Sequence, residues 1–149
     1  MKCLIVLVSY HHMNTQKTAD VFAKVLEAQL KTPQQTSPEE FQQYELVGLG
    51  SGIYCGKHHK DILDLADKLP QVANKRAFIF STSFDSRRVK THSLLREKLQ
   101  SKGYIIVDEF NCKGFDTNSF LKLFGGIAKD RPNAEDLKHA EEFAMKLKQ

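Results

Sequence analysis

The sequence predicts an α/β protein, a three-layer sandwich in which helices cover both faces of a five-stranded parallel sheet with strand order 2-1-3-4-5. Short runs of apolar residues recur along the 149 residues, and each is apolar throughout, as expected for strands buried on both faces. Segments with helical spacing of apolar residues separate these runs. Because alternating strands and helices favour parallel strands joined by right-handed crossovers, we expect a single domain of this class over residues 1–149.

Five segments are predicted to form the strands. The first is Cys3–Val8, and the other buried segments cover residues 45–49, 77–80 and 104–107. The second strand is expected within residues 31–41, where TPQQTSPEE offers a short edge strand and then a single helical turn at Pro38. Proline restricts a strand to the edge of a sheet because it cannot donate to the hydrogen-bond ladder.

Four helices are predicted from apolar residues that recur on one face. The first three cover residues 15–31, 57–69 and 87–102. Gly103 is predicted to end the third helix. The last helix follows Pro132: Asn133 can cap it, and the acidic residues Glu135 and Asp136 suit its positive first turn.

The composition is that of an ordinary globular protein, with 41% hydrophobic and 27% charged residues. The apolar run at residues 3–8 is too short for a signal peptide or a membrane span. The cysteines, Cys3, Cys55 and Cys112, show no spacing typical of a disulfide framework or a zinc site, which favours a reducing compartment. We therefore expect a cytoplasmic protein without membrane association.

The net charge of +4 arises in the second half of the chain, where basic residues are densest at Arg87, Arg88, Lys90 and Arg96. This cluster is either a solvated helix face or a docking patch for an anionic partner or cofactor. Nucleic acid is not expected as a partner, because the chain lacks a basic stripe interleaved with aromatic residues. The sequence leaves the oligomeric state open.

Ligands of such a sheet bind outside the carboxyl ends of its strands, so the loops there form the candidate site. Their sequences are SYHHMNT, GSGIYCG, STSFDSRR and NCKGFDT. They are rich in hydroxyl, small and aromatic residues, with no set of carboxylates suited to a metal ion. The chain lacks the acids of a phosphoacceptor receiver domain and the Cys-x5-Arg of low-molecular-weight phosphatases. It also lacks a phosphate-binding P-loop and the Gly-x-Gly-x-x-Gly of dinucleotide-binding proteins.

The first loop suits either a phosphate or a simple helix cap. Ser9, Asn14 and Thr15 bring hydroxyl and amide donors to a helix N-terminus, where free backbone N–H groups and the helix dipole favour an anion. His12 adds charge there when it is protonated. Equally, Asn14 or Thr15 can serve only to cap the helix.

Two pairs of adjacent histidines, His11–His12 and His58–His59, suggest a metal site only weakly. Neighbouring loop histidines rarely bind one ion together, and no carboxylate or cysteine lies at a supporting spacing. We expect these residues instead to be partly exposed loop histidines.

Motifs at the strand ends resemble, in order, those of flavodoxins. SYHHMNTQKTA resembles the phosphate loop, GLGSGIYCGKHHKDI the second flavin loop, and FIFSTS the fourth strand with the third flavin loop. CKGFDT and GGIAKDRPNAEDLKHAEEFA resemble the C-terminal stretch of a bacterial and archaeal branch of that family. The resemblance covers essentially the whole chain, and the length is that of the short-chain type.

The resemblance implies FMN as the cofactor. The cofactor-binding residues of the phosphate loop would be Ser9, His11, His12, Met13 through its amide, Asn14 and Thr15. One side of the isoalloxazine ring would contact Ser51, Gly52, Ile53, Tyr54 and Gly56, and the other side Thr82, Ser83, Phe84 and Asp85. Met13 and Phe84 stand where the family usually or often has glycine, and this departure predicts weakened FMN binding.

The leading hypothesis is a low-potential electron carrier, in which the flavin performs the chemistry and the protein sets its potential and exposure. Two alternatives remain: an FMN-dependent NAD(P)H oxidoreductase or quinone reductase of the same fold, and a flavin-free interaction module. Carrier flavodoxins are typically acidic, whereas this chain has a net charge of +4. An acidic redox partner is therefore expected if charge steers docking.

Overall fold

The computed structural model describes residues 1–10, 14–83, 87–112 and 133–149, of which Arg88 is described by its backbone alone. In this part of the chain the strands are β1 (Cys3–Val8), β2 (Gln29–Lys31), β3 (Leu46–Tyr54), β4 (Lys57–His58), β5 (Lys75–Thr82) and β6 (Tyr104–Cys112). The α-helices are α1 (Asn14–Leu26), α2 (Lys60–Lys68), α3 (Arg88–Thr91), α4 (Ser93–Ser101) and α5 (Ala134–Leu147). Two short 3₁₀-helices, Pro33–Gln35 and Pro38–Gln43, connect β2 to β3.

The sheet is parallel in the order β2-β1-β3-β5-β6, which confirms the predicted order 2-1-3-4-5. Helices α1 and α5 cover one face of the sheet, and helices α2 and α4 cover the other. The two-residue strand β4 is an addition to the predicted set, and it pairs antiparallel with the end of β3. None of the helices described is long and apolar enough to cross a membrane.

The first predicted helix ends earlier than expected, and the edge strand begins earlier. Helix α1 ends at Leu26, because Glu27 adopts a left-handed backbone conformation with φ of 53°. The chain then pairs residues 29–31 with β1, so the prediction of a helix through Lys31 was wrong. The helical turn predicted at Pro38 is confirmed as the second 3₁₀-helix.

The later helix boundaries follow local backbone signals. The third predicted helix is divided at His92 into α3 and α4. Gly103 follows α4 with φ of 99°, which confirms it as the residue that turns the chain out of the helix. The Asn133 side chain accepts a hydrogen bond from the Asp136 backbone at 2.9 Å, which confirms the predicted cap of α5.

Side chains alternate along the strands between two apolar layers, one on each face of the sheet. The layer beneath α2 and α4 contains Val6, Leu49, Ile62, Ile79 and Leu95. The layer beneath α1 and α5 contains Ile5, Leu7, Phe22, Phe78, Phe80 and Phe143. Both layers extend along the sheet to its carboxyl edge, and they fix the position from which the loops of the candidate site emerge.

Two glycines of β3 make room for large rings in the second of these layers. The ring of Phe78 lies against Gly48, and the ring of Phe80 lies against Gly50, each where a Cβ atom would stand. Phe22 of α1 meets both rings edge-on, at centroid separations of 5.7 and 5.2 Å. The glycines that begin the motif GLGSG therefore serve the core and not a loop.

Replacing Gly50 by alanine should lower the free energy of unfolding of the apoprotein by about 1–3 kcal/mol, because the added methyl group overlaps the Phe80 ring. Gly52→Ala is the matched control on the same strand. Its nearest neighbour is the Tyr54 hydroxyl at 3.3 Å, which lies at the end of a side chain that can move. Urea denaturation of both variants measures the difference, and equal losses would contradict this packing.

Candidate functional site

The carboxyl ends of three parallel strands meet at one edge of the sheet. Val8 of β1 pairs with Ser51 of β3, and Gly52 of β3 pairs with Thr82 of β5. The loops that follow these strands are therefore neighbours in space, although they are about 40 and 30 residues apart in sequence. This edge is where ligands of parallel sheets bind.

The N-terminus of α1 forms the first wall of the site. The Ser9 hydroxyl accepts a hydrogen bond from the Gln16 backbone N–H at 3.1 Å, so Ser9 caps the helix across the loop. Asn14 and Thr15 are buried in the first turn. Backbone N–H groups at a helix start and the positive end of its dipole attract an anion. The predicted contacts His11, His12 and Met13 lie outside the described residues.

A hydrogen bond between two buried hydroxyls joins this helix to the end of β5. Thr15 Oγ1 and Thr82 Oγ1 lie 2.7 Å apart, and both side chains are buried. The two hydroxyls have two protons and their mutual bond uses one, so the other is available to a further acceptor. Ser83 follows Thr82 and is half-buried, whereas the predicted contacts Phe84 and Asp85 lie outside the described residues.

The segment predicted as the second flavin loop is a β-hairpin. Ile53 pairs with His58 and Tyr54 pairs with Lys57, which leaves Cys55 and Gly56 as a two-residue turn. Both turn residues have positive φ, 52° and 79°, as a type I′ turn requires. The expectation of an open loop from Gly50 onward was wrong, because strand β3 continues to Tyr54 and then reverses.

An aromatic cluster stands at the hairpin. The Tyr54 and His59 rings are nearly perpendicular with their centroids 5.3 Å apart, and the Tyr10 ring also lies 5.3 Å from the His59 ring. Tyr54 is 36% exposed and lies over Gly52, so part of an aromatic ring is open to solvent at the hairpin. Burial and, to a lesser extent, Tyr10 raise the pKa of the Tyr54 phenol, which keeps it neutral. Tyr10 was not among the predicted contacts; the only signal for it was an aromatic residue beside Ser9.

Ser51 fixes the hairpin to the next helix. It is fully buried, and its hydroxyl accepts from the His59 backbone N–H at 2.9 Å and donates to the Gly52 carbonyl at 2.6 Å. His59 Nδ1 in turn accepts from the Asp61 backbone N–H at 3.0 Å and so caps α2. These contacts hold the Tyr54 ring and the hairpin in a defined position.

A buried polar network lies directly below the site and was missed by the sequence analysis. Ser81 Oγ lies 2.7 Å from His92 Nε2, and His92 Nδ1 lies 2.8 Å from a Glu109 oxygen. Arg96 binds both oxygens of Glu109 at 2.7 Å. Burial alone would raise the pKa of Glu109, but the hydrogen bonds from His92 and Arg96 lower it to about 2.

Hydroxyl, imidazole and carboxylate in a row have the order of a hydrolase triad. Two observations exclude a nucleophilic role here. Ser81 is completely buried, so a substrate does not reach its oxygen. Its oxygen also lies 2.8 Å from Asn111 Oδ1, so side chains enclose the hydroxyl on two sides. The network is therefore a support for the site and not a catalytic group.

His58 belongs to the same region and corrects a prediction. It was expected to be a partly exposed loop residue, but it is 1% exposed, and its Nε2 donates to the Phe80 carbonyl at 2.9 Å. The His58 and His92 rings lie 4.9 Å apart. Burial, followed by the nearby charge on His92, lowers the pKa of His58 to about 3. His58 is thus a neutral structural donor that ties the hairpin to β5.

Comparison with known proteins identifies the family and the fold. A family model described as a flavodoxin domain matches residues 5–126, so the chain belongs to the flavodoxin family. An uncharacterized protein of Methanocaldococcus jannaschii is 47% identical to this chain over 148 residues, which cover 99% of this chain and 98% of that protein. The family implies a flavin cofactor.

Solved structures show the same fold at low sequence identity. The chain matches oxidised flavodoxin 2 from Bacillus cereus with a TM-score of 0.74 and 18% identity, covering 97% of this chain and 96% of that one. It matches the flavodoxin of Streptococcus pneumoniae strain TIGR4 with a TM-score of 0.72 and 16% identity, covering the whole of both chains. These matches confirm the flavodoxin-like α/β fold predicted from the sequence.

Stability should fall with pH below neutrality because of His58. The pKa is about 3 in the folded protein and ordinarily 6.5 when unfolded, so the unfolded chain binds more protons between these values. The free energy of unfolding should therefore decrease by up to about 1.4 kcal/mol for each pH unit from 6 to 4.5 on account of this one group. Glu109 contributes its own loss only below about pH 4.3, where the unfolded carboxyl is protonated.

Urea denaturation at several pH values tests this contribution. His58→Gln should remove most of the slope between pH 6 and 4.5, whatever its effect on stability at pH 7. His139→Gln, a change at an exposed histidine of α5, is the matched control and should keep the parent slope. Parallel curves for the parent and His58→Gln would show that His58 is not held neutral.

Proposed function

We propose that the protein binds FMN and carries electrons between partner proteins in the manner of a flavodoxin. The observation that carries this proposal is the meeting of the α1 N-terminus, the Tyr54 hairpin and the end of β5 at one edge of the sheet. A helix start suits a phosphate, and a half-exposed tyrosine ring suits a flat cofactor. The residues present thus fit both ends of FMN.

The phosphate is assigned to the first turn of α1. Ser9, Asn14 and Thr15 supply neutral donors there, and the backbone N–H groups of the turn supply more. The hydrogen bond between the buried hydroxyls of Thr15 and Thr82 fixes the position of this turn relative to the end of β5. His11, His12 and the Met13 amide stay predictions from the family resemblance.

The isoalloxazine ring is assigned to the hairpin. Tyr54 presents its face, and Gly52, Ile53 and Gly56 supply backbone at the edge of the ring. Stacking on an aromatic side chain contributes roughly 0.5–1.5 kcal/mol beyond burial alone. Ser51 holds the hairpin in place through its hydrogen bonds. The opposite side of the ring is assigned to Thr82, Ser83, Phe84 and Asp85.

FMN, when bound, accepts and releases electrons one or two at a time, so the protein itself needs no acid or base. The side chains of the aromatic cluster are not arranged as an acid or a base. His59 Nδ1 is occupied as the cap of α2, and the Tyr54 phenol is kept neutral. The chain's own residues bind the phosphate, orient the ring and shield one of its faces.

An acidic redox partner is proposed from the charges beside the site. Lys57 of the hairpin, Arg87 just before α3 and Lys90 within α3 are exposed, and Val89 of α3 is 78% exposed. An apolar residue within a cationic surface suits transient docking steered by charge.

We further propose that residues 1–149 form one domain in a reducing, cytoplasmic compartment. The sheet takes strands from residues 3–8 to 104–112, and the last helix, α5, packs against α1 in one apolar layer. Cys3 and Cys55 are not in a disulfide, although Cys55 is exposed at the hairpin turn, and this favours a reducing compartment.

The apoprotein should bind FMN at least tenfold more tightly than riboflavin, since tenfold corresponds to only about 1.4 kcal/mol and several donors face the phosphate. Thr15→Val combined with Asn14→Ala should reduce the ratio of the two affinities, because the variant loses phosphate donors and no ring contact. Fluorescence titration with both flavins measures the ratio.

Gln16→Ala is the matched control for that experiment. It keeps the backbone N–H that Ser9 accepts and removes only a side chain that binds Asp20 on the exposed face of α1. The control should retain the parent ratio. Equal affinities of the parent for FMN and riboflavin would reduce the role of residues 9–15 to a helix cap.

As a carrier, the holoprotein should oxidise NADPH slowly and without saturation when a quinone is supplied, because a carrier has no need of a nicotinamide site. Stopped-flow absorbance at the NADPH band gives the rate. Fast, saturable oxidation that is lost in Arg87→Ala/Lys90→Ala, while FMN affinity stays unchanged, would replace the carrier with the oxidoreductase alternative.

A further inference from the structure

Thr82 ends β5 on the face of the sheet that α1 covers. Side chains alternate along a strand, so Phe80 and Thr82 lie on the side of α1, whereas Ser81 between them lies on the other side. The Thr82 hydroxyl is 2.7 Å from the Thr15 hydroxyl, and the two residues are only 7% and 3% exposed. The side chain of Thr82 is therefore directed at the turn assigned to the phosphate.

The hydroxyls at this turn have more protons than the described residues accept. Ser9 Oγ accepts from the Gln16 backbone N–H at 3.1 Å, and an N–H group only donates, so this bond does not use the Ser9 proton. Thr15 and Thr82 have two hydroxyl protons, and the bond between them uses one. One proton on Ser9 and one on the threonine pair are therefore left for an acceptor outside the described residues.

The nature of that acceptor decides which threonine donates to the other. Without a ligand, either order satisfies the bond, because each hydroxyl both donates and accepts. A phosphate monoester above about pH 7 is a dianion, and its oxygens only accept. If the Thr15 proton goes to the phosphate, Thr82 has to donate to Thr15. Such a bond polarises the Thr15 hydroxyl and strengthens its own donation.

We propose that Thr82 is a positioning residue for the phosphate of FMN: its hydroxyl donates to Thr15 and directs the Thr15 proton to the phosphate, which Thr82 itself does not contact. This inference rests on the proposed function. It gives a residue of β5 a part in the preference of the site for a phosphorylated flavin. Thr82 also pairs with Gly52 of β3, so the phosphate turn is tied to the strand that continues into the hairpin.

The hydrogen bond is tested on the apoprotein, without any ligand. Thr15→Val and Thr82→Val each leave one buried hydroxyl without its partner, so each should lower the midpoint of urea denaturation. The double variant removes both hydroxyls, and it should lose less stability than the two single variants together. Additive losses would show that the two hydroxyls are not bonded, and they would overturn the proposal whether or not the protein binds FMN.

The role in binding is tested with FMN and riboflavin, which share the ring system and differ in the phosphate. At about pH 8, where the phosphate is a dianion, Thr82→Val should raise the Kd for FMN by about threefold to tenfold and leave the Kd for riboflavin unchanged. Thr82→Ser keeps the hydroxyl and should restore the parent ratio of the two Kd values. Equal rises of both Kd values, or a ratio that Thr82→Ser does not restore, would overturn the proposal.

The route through Thr15 is tested by making the same change in Thr15→Val. In that background, Thr82→Val should leave the ratio of the Kd values unchanged, because Thr15 no longer has a proton to be directed. A further loss of preference for FMN would mean that Thr82 acts on the phosphate directly, and it would overturn the role as a positioning residue.

Thr18→Val is the matched control for these variants. It removes another buried threonine hydroxyl of α1, which donates to the Asn14 carbonyl at 3.3 Å within the same helix. This control should keep the parent ratio. A loss of the ratio as large as that in Thr82→Val would reduce the effect to general damage of α1 and overturn the proposal.

The outcomes distinguish this inference from the proposed function. A parent protein that binds FMN no better than riboflavin, or that binds neither, rejects the proposed phosphate site and the role of Thr82 with it. A parent that prefers FMN, together with a Thr82→Val variant that keeps this preference, overturns the role of Thr82 alone.

Discussion

Three consecutive residues at the end of β5 hold the candidate site together. The carbonyl of Phe80 accepts from His58 of the hairpin, Ser81 bonds to the network on one face of the sheet, and Thr82 bonds to Thr15 on the other face. Because side chains alternate along a strand, neighbours in sequence reach opposite layers. One strand end therefore positions the start of α1, the hairpin and the polar network relative to each other, and the apolar layers behind it make it rigid.

The network also depends on an irregularity in β6. Ile106 pairs with Ala77 and Asp108 with Phe78, so Val107 is an extra residue in the ladder. A shift of one residue exchanges the faces on which all later side chains lie. Without the bulge, Asp108 would face the layer of His92, and Glu109 would point to the opposite layer. The bulge therefore places the Glu109 carboxylate within hydrogen-bond distance of His92.

The sequence was sufficient for the strands, their order and most helices, because continuous apolar runs and one-sided apolar spacing are local signals of burial. Where the sequence-based prediction failed, a tertiary contact determined the local structure. Helix spacing continued past Leu26, but pairing of residues 29–31 with β1 ended the helix. The hairpin was hidden because glycines at 48 and 50 look like a loop, although they accommodate phenylalanine rings in a strand. The face on which each side chain of β6 lies has no signal in the sequence, because it depends on the bulge. The hydrogen bonds from Ser81 to His92 and from His92 to Glu109 have none either, because these residues are far apart in the chain.

A buried polar network, and not an apolar core, lies beside the proposed cofactor site at this end of the sheet. Apolar residues at Ser81, His92 and Glu109 would give a simpler core, because burying an ion pair brings a desolvation cost that its attraction often only balances. The arrangement observed instead satisfies each charge with short bonds and excludes the neighbouring His58 from protonation. Such a network joins β5, β6 and α4 at this edge through directional hydrogen bonds, which an apolar core does not supply.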